Sequence, residues 1–334
     1  MRFGLVQEDD FLRHDTGAHV ENPGRLKAIA AELASSPLPL EKVASRLASD
    51  EELTALHTPS LVERLEAVSA RGGGWLDGDT FCSPASAEVA RRAAGSAIEL
   101  ARRVAVGELD RGFALLRPPG HHATPDRAMG FCLYSNIALA AHHAGVERVL
   151  IFDWDVHHGN GTQDCLYRHP GTVFMSFHQS PFYPGTGHPT ERGDGPGEGS
   201  IYNLPLPAGC ADAEYLWAME QLLDPLLERT DPDLILLSAG YDAHQRDPLG
   251  GMAVSTEGFR QMAARLERWS RRGRTRGRLV GLLEGGYDPR ALASSVRATL
   301  EAWLEPVAFE PIKATQVSAP VRHLVEKLRQ SFFT

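Results

Sequence analysis

Short apolar segments alternate with amphipathic segments along most of this chain. Apolar runs of four to six residues have the length of buried strands, and apolar residues at three- and four-residue spacing between them predict helices. The predicted strands are residues 3–6, 43–48, 112–116, 148–152, 172–177, 234–237 and 279–283. The predicted helices are residues 24–35, 51–57, 59–70, 85–106, 135–144, 161–168, 213–228, 256–271 and 289–303. Strands separated by such helices are typical of βαβ crossovers, so the pattern predicts an α/β fold with a mostly parallel sheet.

The pattern runs on without a linker or a shift of composition. We therefore predict one domain over residues 1–334. Residues at about 310–334 form a tail, in which the amphipathic spacing of residues 321–333 predicts a short helix docked on the domain.

Charge and composition narrow the class of protein. The chain has 43 acidic and 34 basic residues and a net charge of −9, which argues against a nucleic-acid partner, because gripping a phosphate backbone needs a basic surface. The first ten residues turn acidic before a signal-peptide core could form, and no apolar run is long enough to span a bilayer. We expect a cytoplasmic protein with no membrane partner. The four cysteines lack Cys-x-x-Cys spacing, which argues against a thiolate zinc site or a disulfide framework.

One strand-like run ends in an Asp-x-Asp-x-His motif. Residues 148–152 lead directly into Asp153, Asp155 and His157, and an extended chain points alternate side chains to the same face. Two carboxylates and an imidazole crowded together resist burial unless a cation lies among them. A metal site and a polar turn, in which Asp155 caps the next helix, are the two interpretations open from this motif alone.

Polar clusters also follow four other predicted strands. These clusters begin at Arg117, Ser176, Ser238 and Glu284. Ligands of open parallel sheets bind at the carboxyl ends of the strands, so side chains from all five ends converge in one region. Helix capping alone does not explain five such coincidences, and the sequence favours a shared, metal-centred active site.

Taken in order, these clusters resemble the histone deacetylase superfamily. The motifs are Arg-Pro-Pro-Gly-His-His at 117–122, Gly-Phe-Cys at 130–132, Asp-x-Asp-x-His-His-Gly-Asn-Gly at 153–161, Ser-Phe-His at 176–178, Tyr-Pro-Gly-Thr-Gly at 183–187, Ser-Ala-Gly-Tyr-Asp at 238–242 and Glu-Gly-Gly-Tyr at 284–287. Asn160 and the Leu-Glu-Gly-Gly-Tyr sequence at 283–287 resemble the class II branch and its bacterial relatives, which include acetylpolyamine amidohydrolases, more closely than class I. The resemblance implies a single arginase-like α/β domain with an eight-stranded parallel sheet flanked by helices.

The resemblance also implies the chemistry of the site. It makes Asp155, His157 and Asp242 the ligands of one Zn²⁺ per chain, with Fe²⁺ as the alternative metal. His121 and His122 are the tandem histidine pair. The first histidine is paired with Asp153 and stays charged, whereas the second is paired with Asn160 and acts as general base and then general acid. Tyr287 would donate a hydrogen bond to the oxyanion.

Further residues are implied around this centre. A K⁺ ion would be bound by Asp153, the Ser176 hydroxyl and main-chain oxygens that include that of Phe177. The acyl-lysine tunnel would be lined by Gly130, Phe131 and Tyr183. At its rim, Asp79 matches the acidic residue that grips the substrate backbone, and Arg25 matches the arginine of the acetate channel. Leu249 stands where the polyamine-preferring branch has an acidic gatekeeper.

The sequence thus predicts a metal-dependent deacetylase acting on the linear amide of acyl-lysine, in a peptide or a small acylated amine. The alternatives are an acetylpolyamine deacetylase, a ureohydrolase with two manganese ions, and an acyl-lysine binding module without turnover. A second carboxylate cluster would indicate the ureohydrolase, and loss of a ligand, of the histidine pair or of Tyr287 would indicate the binding module. A homo-oligomer is left open.

Overall fold

A parallel sheet forms the centre of the computed structural model, which describes residues 1–305, 307–308 and 311–333. Within these residues the sheet has eight strands: β1 (Phe3–Val6), β2 (Glu41–Lys42), β5 (Arg111–Ala114), β6 (Val149–Asp153), β7 (Thr172–Gln179), β8 (Ile201–Leu206), β9 (Leu234–Ala239) and β10 (Leu279–Leu283). Their order is β2-β1-β5-β10-β9-β6-β7-β8, and every neighbouring pair is parallel. A separate antiparallel hairpin joins β3 (Gly74–Trp75) to β4 (Phe81–Cys82). The predicted α/β class with an eight-stranded parallel sheet is confirmed.

Helices connect the strands and cover the sheet. They are α1 (Gly24–Ser35), α2 (Asp50–Thr54), α3 (Pro59–Ala70), α4 (Ser86–Ala105), α5 (Asn136–His143), α6 (Asn160–Leu166), α7 (Asp212–Ala218), α8 (Asp224–Thr230), α9 (Thr256–Ser270), α10 (Pro289–Leu304) and α11 (Ala319–Phe333). Short 3₁₀ turns cover Asp9–Arg13, Gly195–Gly197 and Ala314–Gln316. Local sequence explains several helix starts: Thr58 and Asp288 each cap a helix whose first residue is proline, a residue that needs no hydrogen-bond acceptor there.

The core lies on both faces of the sheet. The residues of β6, β9 and β10 are all buried, which explains why these strands read as continuous apolar runs. Helices α4 and α5 pack together and against β5 and β9, while α10 packs between α1 and α9. None of the described helices combines the length and apolar character needed to cross a bilayer.

Two strand predictions need correction. Residues 43–48 are not a strand, because only Val43 continues the pairing with β1 and the Ala48 amide then donates to the Arg91 carbonyl of α4. The strand β8 was missed because Asn203 and Pro205 interrupt its apolar pattern. It lies at the edge of the sheet, where a proline without an N–H is tolerated.

The predicted helix of residues 213–228 is interrupted. The segment Met219–Leu223 forms a π-helical turn between α7 and α8, just before Pro225, whose ring cannot donate to the preceding turn. In the tail, α11 covers the predicted helix of residues 321–333 and buries Val321, Val325, Leu328 and Phe332. Residues 310 and 334 of the predicted tail lie outside the described residues.

Candidate metal-dependent active site

The polar strand ends meet at one edge of the sheet. Strands β5, β10, β9, β6 and β7 are consecutive neighbours, and being parallel they all end on the same side. At this edge Asp153 of β6 stands opposite Ser176 of β7 and Ser238 of β9. The sheet order therefore brings together motifs that are far apart in sequence.

Three of these side chains form a candidate metal site. Ligand atoms of Asp155, His157 and Asp242 all lie within 4.8 Å of one another. His157 Nδ1 is 3.0 Å from Asp155 Oδ1 and 3.1 Å from Asp242 Oδ2. Both aspartates are fully buried and His157 is 9% exposed, so solvent does little to screen their charges.

Main-chain groups hold the two carboxylates in place. The amide of Val156 donates to Asp242 Oδ1 at 2.8 Å, and that of Gly285 donates to Asp155 Oδ2 at 2.9 Å. A Cβ atom at Gly240 would lie 2.0 Å from the same Asp155 oxygen. Glycine is therefore required at 240 for the carboxylate to lie where it does.

The donor set fits a divalent cation. Burial lowers the pKa of His157, but the carboxylates of Asp155 and Asp242 outweigh burial and raise it to about 10, so their field favours positive charge at Nδ1. Burial and repulsion from Asp155 raise the pKa of Asp242 to about 7. Two carboxylates and one imidazole are the mixed oxygen and nitrogen donors of a catalytic transition-metal site, which leaves coordination positions for water and substrate.

The histidine pair lies beside this cluster, and its members have different partners. His121 Nδ1 donates to Asp153 Oδ2 at 3.0 Å, whereas His122 Nδ1 donates to the amide oxygen of Asn160 at 2.8 Å. The two imidazole rings are 4.0 Å apart, and the ring of His122 is 5.7 Å from that of His157.

The surroundings of the two histidines set different protonation states. Burial lowers the pKa of both histidines, because it penalises the charged imidazolium. At His121 the carboxylates of Asp155 and Asp153 outweigh burial and raise the pKa well above its usual value. At His122 the charges of His121 and His157 add to burial and hold the pKa well below the usual value. The pair thus combines a charged and a neutral imidazole near neutral pH.

Aromatic rings wall the approach to the pair. Tyr183 is edge-on to His122 at 5.1 Å, and Phe131 is edge-on to Tyr287 at 5.8 Å. A Cβ atom at Gly130, where φ is +56°, would lie 2.4 Å from the His122 ring. Behind this wall the Cys132 thiol accepts from the His122 amide at 3.4 Å and donates to the Gly130 carbonyl at 3.3 Å.

Comparison with known proteins identifies the family. Residues 19–303 match the model of the histone deacetylase domain. The chain belongs to the histone deacetylase family. A probable deacetylase of Methanothermobacter thermautotrophicus is 42% identical over 313 residues, which cover 92% of each chain. The histone deacetylase-like amidohydrolase of Pseudomonas aeruginosa is 42% identical over 277 residues, covering 81% of this chain and 73% of that protein.

Solved structures agree with this family. The crystal structure of the HDA15 HD domain superposes with a TM-score of 0.92 at 34% identity, covering 99% of this chain and 94% of that one. This deacetylase spans only 49% of the length of histone deacetylase 5 of Arabidopsis thaliana, to which it is 38% identical. The family resemblance predicted from the motifs is confirmed, and with it a deacetylase or amidohydrolase function of a kind that generally depends on a metal.

Two further predicted site residues of the deacetylase, Asp79 and Leu249, lie on loops. Asp79 is half-buried on the loop between β3 and β4, and burial together with the Asp77 carboxylate raises its pKa. Burial and the nearby Asp79 raise the pKa of the Tyr183 phenol in turn. The half-buried Leu249 lies in the loop between β9 and α9.

Arg25 lies behind Tyr287. Its Nε donates to the Gly286 carbonyl at 2.7 Å, its guanidinium also contacts the Glu284 carbonyl, and it lies 5.0 Å from the centre of the Tyr287 ring. Burial of the hydroxyl raises the pKa of Tyr287 well above its usual value, so the phenol keeps its proton.

Several residues of the deacetylase site were not predicted. Glu284 Oε2 accepts from the amides of Gly120 and His121 at 2.7 and 3.1 Å, which ties the tyrosine loop to the histidine loop. Phe182 stacks on His157 at 5.1 Å. Asp247 accepts main-chain hydrogen bonds at the same edge, and the Asp-Pro pair that it begins is a turn signal in the sequence.

Proposed function

We propose that this chain is a zinc-dependent deacetylase that hydrolyses the amide of an acylated lysine side chain or a related acylated amine. The observation that carries the proposal is the buried Asp155, His157 and Asp242 cluster beside a histidine pair with unlike partners. An amide needs a polarised carbonyl, a deprotonated water and a protonated leaving amine, and this arrangement has a group for each task. Zn²⁺ held by the cluster, or Fe²⁺ in its place, would act as Lewis acid and lower the pKa of water.

His122 carries the proton in this scheme. Its Nδ1–H is committed to Asn160, so Nε2 has a lone pair that accepts a proton from the attacking water. The same Nε2–H then donates to the departing amine. His121 keeps its positive charge through Asp153 and stabilises the negative charge that develops on the substrate.

Tyr287 serves the substrate carbonyl. Its protonated phenol donates a hydrogen bond to the carbonyl oxygen as that oxygen gains negative charge. The neighbouring Phe131 ring, with Gly130 and Tyr183, provides apolar faces suited to the alkyl chain of an acyl-lysine. Asp79 at the rim would accept from the substrate backbone, and Arg25 would line the acetate path.

A structural K⁺ ion completes the proposed centre. Asp153 is fully buried and pairs in register with Ser176 of the neighbouring strand, so the two residues would offer a carboxylate and a hydroxyl ligand from adjacent backbone positions. Main-chain oxygens of Phe177 and of the metal-binding loop would supply the other ligands. Such an ion would offset the charge of Asp153 without competing for the zinc ligands.

The side chain at position 249 suggests which substrates the enzyme prefers. An acidic side chain at this position would attract the distal ammonium of an acylated polyamine, whereas leucine offers only an apolar contact. We therefore expect acyl-lysine peptides to be hydrolysed at least as well as acetylspermidine. Within the described residues only one cluster of three metal-binding groups is found, so no observation favours a binuclear ureohydrolase.

Metal content and a substrate panel test the proposal. The purified chain should hold one transition metal per molecule, and Asp242→Asn should lose both the metal and the activity on an acetyl-lysine peptide. Activity that requires two manganese ions per chain would reject the deacetylase assignment. A metal-loaded wild-type protein that left all acyl-lysine peptides intact but cleaved acetylspermidine would move the substrate to the polyamines.

A further inference from the structure

The Asp247 carboxylate joins two loops of the active site. It is 9% exposed and lies in the loop between β9 and α9. Its Oδ1 accepts from the amides of Leu249 and Gly250 at 2.9 and 3.3 Å, and its Oδ2 accepts from the amide of Tyr287 at 2.6 Å. One buried side chain therefore holds main-chain amides of its own loop and of the loop that carries Tyr287.

The chain before Tyr287 needs such an anchor. Gly286 has a φ of +115°, in the region that favours glycine, and its neighbour Gly285 also lacks a side chain to pack. Arg25 holds the Gly286 carbonyl at 2.7 Å, and Asp247 holds the next amide along the chain. These two contacts bracket the peptide unit that carries the phenol.

We propose that Asp247 is a positioning residue that fixes the Tyr287 phenol and the loop segment at Leu249 relative to each other. The proposal rests on the proposed function, in which Tyr287 donates to the substrate carbonyl. The carboxylate does not touch the substrate. It acts by presenting one acceptor oxygen to the loop after β9 and the other to the loop after β10.

The substitution Asp247→Asn isolates this role. The amide has nearly the volume of the carboxylate but only one acceptor oxygen, so its NH₂ group must face an N–H donor on one side. A misplacement of about 1 Å at a reacting group is enough to lower turnover about a hundredfold. We expect Asp247→Asn to lower kcat by about this factor on an acetyl-lysine peptide, with a smaller change in KM and unchanged metal content.

A double-mutant cycle with Tyr287→Phe distinguishes positioning from general damage. Tyr287→Phe alone should lower turnover about a hundredfold to a thousandfold, the usual loss for one oxyanion donor. If Asp247 acts through the phenol, adding Asp247→Asn to Tyr287→Phe should change kcat by no more than about twofold. Independent, multiplying losses would overturn the proposal, and so would an Asp247→Asn enzyme with wild-type turnover.

Control variants keep the test decisive. Asp233 is a buried aspartate just before β9, at the end of the strands away from the active site. It also accepts from a main-chain amide, that of Arg148 at 3.0 Å. Asp233→Asn therefore reports the general effect of replacing such a carboxylate. If Asp247→Asn does not fold, Asp247→Glu keeps the charge and displaces the oxygens by one methylene. Its loss of turnover must vanish in the Tyr287→Phe background, and a loss that persists overturns the proposal. A wild-type protein inactive on every acyl-amine would instead reject the proposed function.

Discussion

Two adjacent histidines in this chain have pKa values shifted in opposite directions, and unlike atoms face their Nδ1 nitrogens. A carboxylate, that of Asp153, accepts from His121, and a neutral amide, that of Asn160, accepts from His122. A charged partner stabilises the imidazolium and a neutral partner does not, so one side-chain substitution should be enough to change which form prevails.

The pair should therefore respond unequally to alanine. In the proposed function, His122→Ala removes the proton carrier of two steps, whereas His121→Ala removes mainly a charge, so His122→Ala should leave less activity. Turnover of the two metal-loaded variants, compared on one acetyl-lysine peptide, gives the ranking. The opposite ranking would mean that the two roles must be exchanged.

Asn160→Asp gives a pH test of the same assignment. A carboxylate at 160 would raise the pKa of His122, which is held low in the wild type. Because the base must be neutral, the acid limb of the kcat profile should move to higher pH. An unmoved acid limb would show that His122 is not the base.

At the scale of elements, the ends of two neighbouring strands, β6 and β9, carry the three candidate metal ligands. The residue after β9, Gly240, leaves room for Asp155 of the neighbouring β6 loop, where a Cβ atom would lie 2.0 Å from Oδ2. Displacing a ligand or its supporting contacts typically lowers metal affinity about tenfold to a hundredfold.

We expect Gly240→Ala to lower the affinity for the divalent metal by about tenfold or more for this reason. Competition with a chelating dye measures the affinity, and far-UV circular dichroism checks that the fold is kept. Gly78→Ala is the matched control, because a Cβ atom there meets nothing within 4 Å. Equal affinities in the two variants would contradict a ligand role for Asp155.

The polar residues at the strand ends were predictable from the sequence, but the buried carboxylates that hold the site loops in place were not. Asp155 and His157 follow an apolar run, and that switch from apolar to polar is visible in a local window of sequence. Glu284 and Asp247 act on main-chain amides that are 163 and 40 residues away, so only the sheet order brings donor and acceptor together. The edge strand β8 was missed for a different reason, because a proline such as Pro205 argues against a strand when only the sequence is considered.

At the scale of the whole molecule, a buried histidine links segments that lie far apart in the chain. His57 follows α2, donates from Nδ1 to the Thr124 carbonyl at 3.0 Å and accepts from the Ser135 amide at 2.9 Å. In the neutral tautomer with the proton on Nδ1, both ring nitrogens therefore form hydrogen bonds. Burial lowers the pKa of His57 to about 4.

This depressed pKa predicts a loss of stability in acid. His57 has a pKa near 6.5 in the unfolded chain, so its contribution is complete above that pH and is lost as pH falls toward about 4. The difference corresponds to about 3 kcal/mol of unfolding free energy. Urea unfolding between pH 7 and 4 should therefore show a shallower decline for His57→Gln than for wild type. The exposed His323→Gln serves as control, and parallel curves for all three proteins would contradict the prediction.

The cysteine beside the histidine pair has a practical consequence for inhibitor chemistry. Burial and the Glu284 charge raise the pKa of the Cys132 thiol, and burial raises those of Cys82, Cys165 and Cys210 as well. Alkylating agents and peroxides react with thiolates, of which this chain has very few at neutral pH. Electrophilic warheads should therefore find no ready anchor next to the histidine pair, and air oxidation during purification should leave the enzyme intact.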